Sequence, residues 1–263
     1  MKVNENTGRS TIALYSFFAL PLTYVAVATA GVLLVPYDRR HVPTYHDWME
    51  DEAVRAATAS DRLTLEEEYE NQESWRAAAD KLTFILCQPV ASVSSGSEEI
   101  IGGVNDAPDR MVGDINFFLT PFEEEDDEDA NANDNKERST SDVPLYSGEV
   151  DVMIARLEHR RQGFGRAAVT AFLYYILRSK RDAILAEAAG AEGTETSTPS
   201  PPQLKQLVVK IQATNAASIS LFKSLGFEQK GDVNYFGEVE LVRWNLTTEV
   251  PAGYTEKVYQ RSA

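Results

Sequence analysis

The chain has 263 residues, 43% of them apolar, and a net charge of −16, which is enough apolar material for a buried core in one large domain or two small ones. So acidic a chain is a poor partner for nucleic acid or an anionic membrane surface. Its single cysteine, Cys87, excludes an internal disulfide, and with three scattered histidines (His41, His46, His159) it carries no zinc pattern.

Residues 12–30 contain no charged side chain. That length suits a membrane span, and Lys2 and Arg9 ahead of it with Ala28 and Ala30 behind it also suit a signal peptide. Pro21, Ser16, Thr23 and Thr29 weigh against a span. A third reading is a translated short intron, because residues 1–7 and 32–37 read as two halves of one start. Residues 1–31, with an apolar insertion at 8–30, are therefore set apart from a domain at 32–246, and residues 247–263 read as a polar tail. Without a genuine span at 12–30, the expectation is a cytoplasmic protein that does not bind membranes.

Within the domain, 32–36 reads as a first strand and 41–57 as a helix. Thr64 and Glu67 form a capping box opening a second helix to about residue 79. Tyr45, Trp48, Tyr69 and Trp75 on these helices read as core rather than as a cage for substrate. Strands follow at 82–87 and 111–119, with a loop at 88–108 between them. Residues 123–142 hold ten acids against Lys136 and Arg138, half of the chain's net charge; this stretch and 190–202 read as disordered surface insertions. Next come a strand at 149–155, a helix from 166 to about 180, a strand at 204–211 and a helix from Asn215 stopped by Gly226. Residues 235–236 and 239–244 read as closing strands. This order indicates an α+β domain with one central, mostly antiparallel mixed sheet flanked by helices.

The turn Arg160-Arg161-Gln162-Gly163-Phe164-Gly165, followed by Arg166, is where ligand chemistry concentrates. Glycines let a backbone approach a ligand closely, and the first amides of the following helix present partial positive charge. The simplest ligand for such a place is a pyrophosphate. Gly163-x-Gly165-x-x-Ala168 also fits a dinucleotide fingerprint, but the next strand ends in Gln212 rather than in an acid that would hold a ribose. In the strand ahead of the turn, Glu149 and Asp151 share one face, opposite Val150, Val152 and Ile154. Two carboxylates there are either the wet face of a half-buried strand or candidates to take a proton from a substrate.

The element order, Arg160-x-x-Gly163-x-Gly165 and Asn215…Leu225-Gly226-Phe227 together resemble the GCN5-related N-acetyltransferase superfamily. Within it the chain is similar to the N-acetyltransferase 9-like family, through Val35-Pro36-Tyr37, His41-Val42-Pro43-x-Tyr45-His46-x-Trp48-Met49, Val112-Gly113-Asp114-Ile115-Asn116 and Gly148-Glu149-Val150. The resemblance implies acetyl transfer from acetyl-CoA to a protein amine, terminal or lysine, without a metal. It implies that Met153, Ile154, Ala155, Arg160, Arg161, Gln162, Gly163, Phe164, Gly165, Arg166, Asn215 and Phe222 meet the cofactor. Glu149 or Asp151 would be the base. It also implies a link to microtubules, with tubulin a possible partner. Two departures stand out. Arg161 occupies a position where the family usually has glycine, and Phe222 one where many members have a tyrosine able to protonate the leaving thiolate. A non-catalytic acyl-CoA-binding or microtubule-associated protein that keeps the fold is the alternative.

Overall fold

A computed structural model describes residues 24–90, 99–123, 143–191 and 200–261. Among the described residues ten strands form one sheet: β1 (Val25–Ala28), β2 (Leu33–Pro36), β3 (Lys81–Cys87), β4 (Glu99–Ile101), β5 (Met111–Pro121), β6 (Leu145–Ile154), β7 (Gln203–Gln212), β8 (Glu228–Lys230), β9 (Glu238–Arg243) and β10 (Thr255–Gln260). Their spatial order is β4-β10-β1-β2-β3-β5-β6-β7-β9-β8. All neighbours are antiparallel except β10 with β4 and β6 with β7, as the mixed α+β reading requires.

The helices are α1 (Val42–Met49), α2 (Glu52–Thr58), α3 (Leu65–Ala77), α4 (Phe164–Tyr174), α5 (Arg181–Ala191) and α6 (Ala216–Lys223). Alternation along the central strands sends side chains to two separate cores. Leu34, Phe84, Ile115, Phe117 and Val150 pack with α4 and α5. Phe84 lies edge-on to both Phe172 and Tyr175, with ring centroids 5.8 and 5.5 Å away. On the opposite face, Val35, Ile85 and Met153 pack with Val42, Trp48 and Val54 of α1 and α2.

Several boundaries differ from the sequence reading, each for a local reason. The helix expected over 41–57 is two helices, because the Asp51 carboxylate accepts from the Ala53 amide and starts a new one. The capping box of Thr64 and Glu67 forms as expected and opens α3. The helix expected from 166 begins at Phe164, widens into π geometry over Tyr175–Ser179 and is continued by α5. Tyr235 and Phe236 lie in an exposed turn rather than a strand. The loop at 88–108 contains β4.

The largest correction concerns the ends of the domain. Val25–Ala28, part of the apolar run set aside as foreign to the domain, is a strand paired along its whole length with β10 and through Val27 and Ala28 with β2. A span or insertion extending to residue 30 is therefore not what these residues form; residues 1–23 lie outside the described part. The polar tail likewise supplies β10, whose Tyr259 is buried. Most of the acidic insertion and residues 192–199 also lie outside the described part. Among the described residues no helix is long and apolar enough to cross a membrane.

β10 is tied to the helical layer by a largely buried ion pair, Lys180 Nζ to Glu256 at 3.2 Å. Tyr254 also donates to Glu256, at 2.9 Å. Removing one partner of a buried pair leaves an uncompensated charge, so Lys180→Met is expected to cost about 3 kcal/mol. Urea unfolding would measure it, and Lys180→Met with Glu256→Leu is expected to recover most of the loss.

His41 is structural. Its Nδ1 accepts from the Asp38 amide at 3.0 Å, and its Nε2 lies 2.8 Å from Asp106 in the interior. Burial works to raise the Asp106 carboxyl, but hydrogen bonds from His41 and Tyr259 outweigh it and hold it below the usual range.

Candidate active site

The site begins where two parallel strands part. β6 and β7 pair from Leu145 with Gln203 as far as Glu149 with Val208. Beyond that point β6 is partnered only by β5, and β7 runs on against β9 to Gln212. The opening is a cleft of about 250 Å³. Glu149, Asp151 and Met153 of β6 line one wall, and Lys210 and Gln212 of β7 with Asn215 and Phe222 line the other. Asp114 and Asn116 of β5 and Tyr45 of α1 close it on the helical side.

Both carboxylates proposed from spacing line this cleft, with different partners. Glu149 accepts from Lys210 Nζ at 2.7 Å, and that hydrogen bond raises the lysine pKa. Asp151 has no such partner. Burial first, then the negative charges of Glu149, Asp114 and Glu238, push its carboxyl up to about 7, with Lys210 opposing them. A carboxyl poised near neutrality beside an open cleft suits proton transfer.

Asp114, Asn116, Lys210 and Glu238 also line the cleft, and the sequence reading gave none of them a role there. Asp114 is buried and pushed up to about 6 by desolvation, against the hydrogen bonds it accepts from Asn116 Nδ2 at 2.9 Å and the Tyr45 hydroxyl at 3.4 Å. Its signal in the sequence is two polar residues spaced by two in the apolar strand Met-Val-Gly-Asp-Ile-Asn-Phe-Phe-Leu. Tyr45 and Trp75, read as core, are half-buried on the cleft wall, whereas Trp48 is core.

The loop after β6 turns through one 3-10 turn, Leu157–His159, and enters α4 at Gly163. Gly163 has φ of 91° and caps α4 without a side-chain bond. The Ala167 amide is bonded to the Gly163 carbonyl, so the amides of Phe164, Gly165 and Arg166 precede that first helical bond. A Cβ on Gly163 would meet nothing within 4 Å, so the space beside this cap is open, as a bulky anion requires.

Arg161 has φ of 61°, the left-handed region that a side chain enters at a cost of ~1 kcal/mol. A glycine at this position would adopt that backbone without the cost.

The loop's cations are not all free to turn outward. Arg160 donates from Nε to the Ile154 carbonyl at 3.0 Å and from Nη2 to the Ala155 carbonyl at 3.4 Å, bracing the end of β6. Arg166 donates to Ser224 Oγ at 2.6 Å, joining α4 to the end of α6. Arg161 and Gln162 are exposed, and His159 is half-buried against the Phe164 ring. Asn215 caps α6, its Oδ1 accepting from the Ser218 amide at 3.2 Å. Phe222 is buried at the back of the cleft, edge-on to Phe227 with centroids 5.2 Å apart.

The acetyltransferase (GNAT) domain family matches residues 32–228. The chain is 34% identical over 246 residues to the N-acetyltransferase 9-like protein of Schizosaccharomyces pombe, covering 92% of this chain and 97% of that one. It is 39% identical over 214 residues to a Drosophila melanogaster protein named alpha/beta-tubulin-N-acetyltransferase 9, covering 81% of this chain and 82% of the relative. A GNAT-family acetyltransferase structure from Bacillus anthracis superposes with a TM-score of 0.50 at 11% identity, over 83% of this chain and 98% of that one, a likeness of fold. A cleft between parted strands, an open glycine cap on the helix behind it and these matches agree: the chain belongs to the GNAT acetyltransferase family, in its N-acetyltransferase 9-like branch, and is an acetyl-CoA-dependent N-acetyltransferase.

Proposed function

We propose that the acceptor is a protein amine, that Asp151 takes its proton, and that tubulin is the substrate to test first. The observation that carries this is a carboxyl pushed up to about 7 in the cleft between β6 and β7. Acetyl-CoA supplies the acetyl group and a thiolate that leaves. The amides at the start of α4, with Gly163 and Gly165, hold its pyrophosphate, and Arg161 and Gln162 stand beside them. The β6 backbone from Met153 through Ala155 carries the arm that leads into the cleft. Asn215 Nδ2 is left for that arm, because Oδ1 is spent on the cap. Phe222 has no proton to give, so it serves as an apolar wall.

Glu149 is held in place by Lys210 and acts by keeping the Asp151 carboxyl high, as do Asp114 and Glu238. A protein acceptor is supported by Tyr235 and Phe236, 96% and 74% exposed. The Phe236 carbonyl accepts from Gln212 of the cleft wall at 3.4 Å, which places this aromatic turn at the cleft's end. Tubulin is supported by the name of the Drosophila relative, and a cytoplasmic setting goes with that substrate.

The test incubates the protein with acetyl-CoA and purified α/β-tubulin and locates new acetyl groups by mass spectrometry. Gly163→Glu, which strains the turn and puts a negative charge at the α4 cap, is expected to weaken acetyl-CoA binding at least 100-fold by calorimetry. Tight acetyl-CoA binding by the native chain, with no acetyl group on tubulin or on a panel of free-amine peptides, would establish the non-catalytic alternative instead.

A further inference from the structure

Asn116 is 7% exposed, and its Oδ1 atom is buried without any hydrogen-bond partner. Such an atom costs ~1–3 kcal/mol unless something donates to it. Its orientation is fixed, because Nδ2 on the other side of the amide donates to the Asp114 carboxylate at 2.9 Å. Asn116 also lies directly across the β5–β6 ladder from Asp151 and lines the same cleft. An orphaned acceptor is thus held next to the proposed base, in a site that also contains Glu149, Asp114 and Glu238.

We infer that Asn116 Oδ1 is the docking atom for the acceptor's amine, and that the acceptor is a primary amine arriving as its ammonium ion. This rests on the acetyl-transfer reading above. A primary ammonium has three N–H bonds. One donates to Asn116 Oδ1, one proton passes to the Asp151 carboxylate, and the nitrogen pair so freed forms the C–N bond as the C–S bond breaks. The second of the three protons to leave goes to the thiolate, directly or through water. The third stays on the product as the amide N–H, still facing Asn116. A secondary amine, such as an amino-terminal proline, spends both its protons and has none left for Asn116 in the product, so it is selected against.

The experiment measures steady-state acetylation of α/β-tubulin by the native chain, Asn116→Leu and Asn116→Ser. Both variants are expected to raise the acceptor KM at least tenfold while the acetyl-CoA Kd stays within twofold. Both remove the bond to the buried Asp114 carboxylate along with the orphaned atom, so a lower melting temperature is expected in each, and the unchanged acetyl-CoA Kd is what shows the site still folded. An unchanged acceptor KM, or an equal loss of acetyl-CoA affinity, overturns the assignment. A second readout does not depend on turnover. Titration with a decapeptide bearing a free α-amine should shift the Asn116 side-chain amide resonances, identified by their absence in Asn116→Leu. The same peptide with its amine acetylated, or starting with proline, should shift them far less. If the native chain transfers nothing but these shifts appear, amine docking stands and the acetyl-transfer reading falls; if all three peptides behave alike, the docking assignment falls.

Discussion

Asp151→Asn lowers kcat by about 10²–10⁴-fold in the expected outcome, the range a positioned general base contributes, and it flattens the acid side of the pH profile. In the native chain only the ionised carboxylate can accept a proton, so kcat/KM rises about tenfold per pH unit at low pH and levels off near 7. The charged and titratable groups around it are Glu149, Asp114, Lys210 and Glu238, with Tyr45 beside Asp114. Lys210→Met removes the one group that opposes the upward push, so the bend in the profile should move to higher pH. A profile whose acid limb survives in Asp151→Asn would remove Asp151 from the reaction.

The same substitution has a stability signature of opposite benefit. The folded-state carboxyl lies above its unfolded value, so protonation favours the fold; that contribution is complete below about pH 4 and is lost as pH rises through about 7. At pH 8 the native chain carries a desolvated carboxylate that asparagine does not. Asp151→Asn is therefore expected to stabilise the protein by ~1–3 kcal/mol at pH 8 and by little near pH 4. Urea unfolding at both pH values reads this, and activity lost with stability gained would mark a residue kept for chemistry rather than for folding.

Gly113→Ala is expected to disable the protein from a position outside the cleft lining. A Cβ there would stand 1.8 Å from the Met153 carbonyl oxygen and 2.9 Å from the Met153 carbonyl carbon. The obstacle is backbone, so no side-chain rotation relieves it, and β5 must move away from β6 opposite Ile154. The expected cost is more than about 3 kcal/mol, with loss of acetyl-CoA binding because the displaced segment leads into the glycine turn proposed to hold the pyrophosphate. Gly190→Ala is the control. That exposed helical glycine has nothing within 4 Å of an added Cβ, so the variant should gain ~0.5 kcal/mol. Equal melting temperatures for Gly113→Ala and the native chain would show that β5 and β6 separate at no cost.

Much of the site was legible because it is written in local spacing. Alternation of Val150, Val152 and Ile154 put Glu149 and Asp151 on one face, and the structure places both on the cleft wall. Arg160, Gly163 and Gly165 announced a turn into a helix, and Gly163 does take the left-handed backbone that a glycine permits. The capping box at Thr64 needed only four consecutive residues. Each of these features depends on neighbours within a turn or a pleat, which a sequence displays directly.

Other features depend on register between distant segments, which spacing does not carry. Asn116 faces Asp151 only because β5 and β6 pair across the acidic insertion, and Lys210 reaches Glu149 only because β6 and β7 run parallel. The different surroundings of these two carboxylates follow from those pairings: one is given a cation and the other is half-buried among acids. The short strands β1 and β10 were set outside the domain because each carries a weak local signal, an apolar run in one case and a mixed polar stretch in the other. Pairing with each other and with β2 makes them part of the sheet. Local pattern in this chain specified the fold class, the glycine turn into α4 and two carboxylates on one face; burial and cross-strand register, which are sums over distant residues, assigned those groups their partners and raised the Asp151 carboxyl.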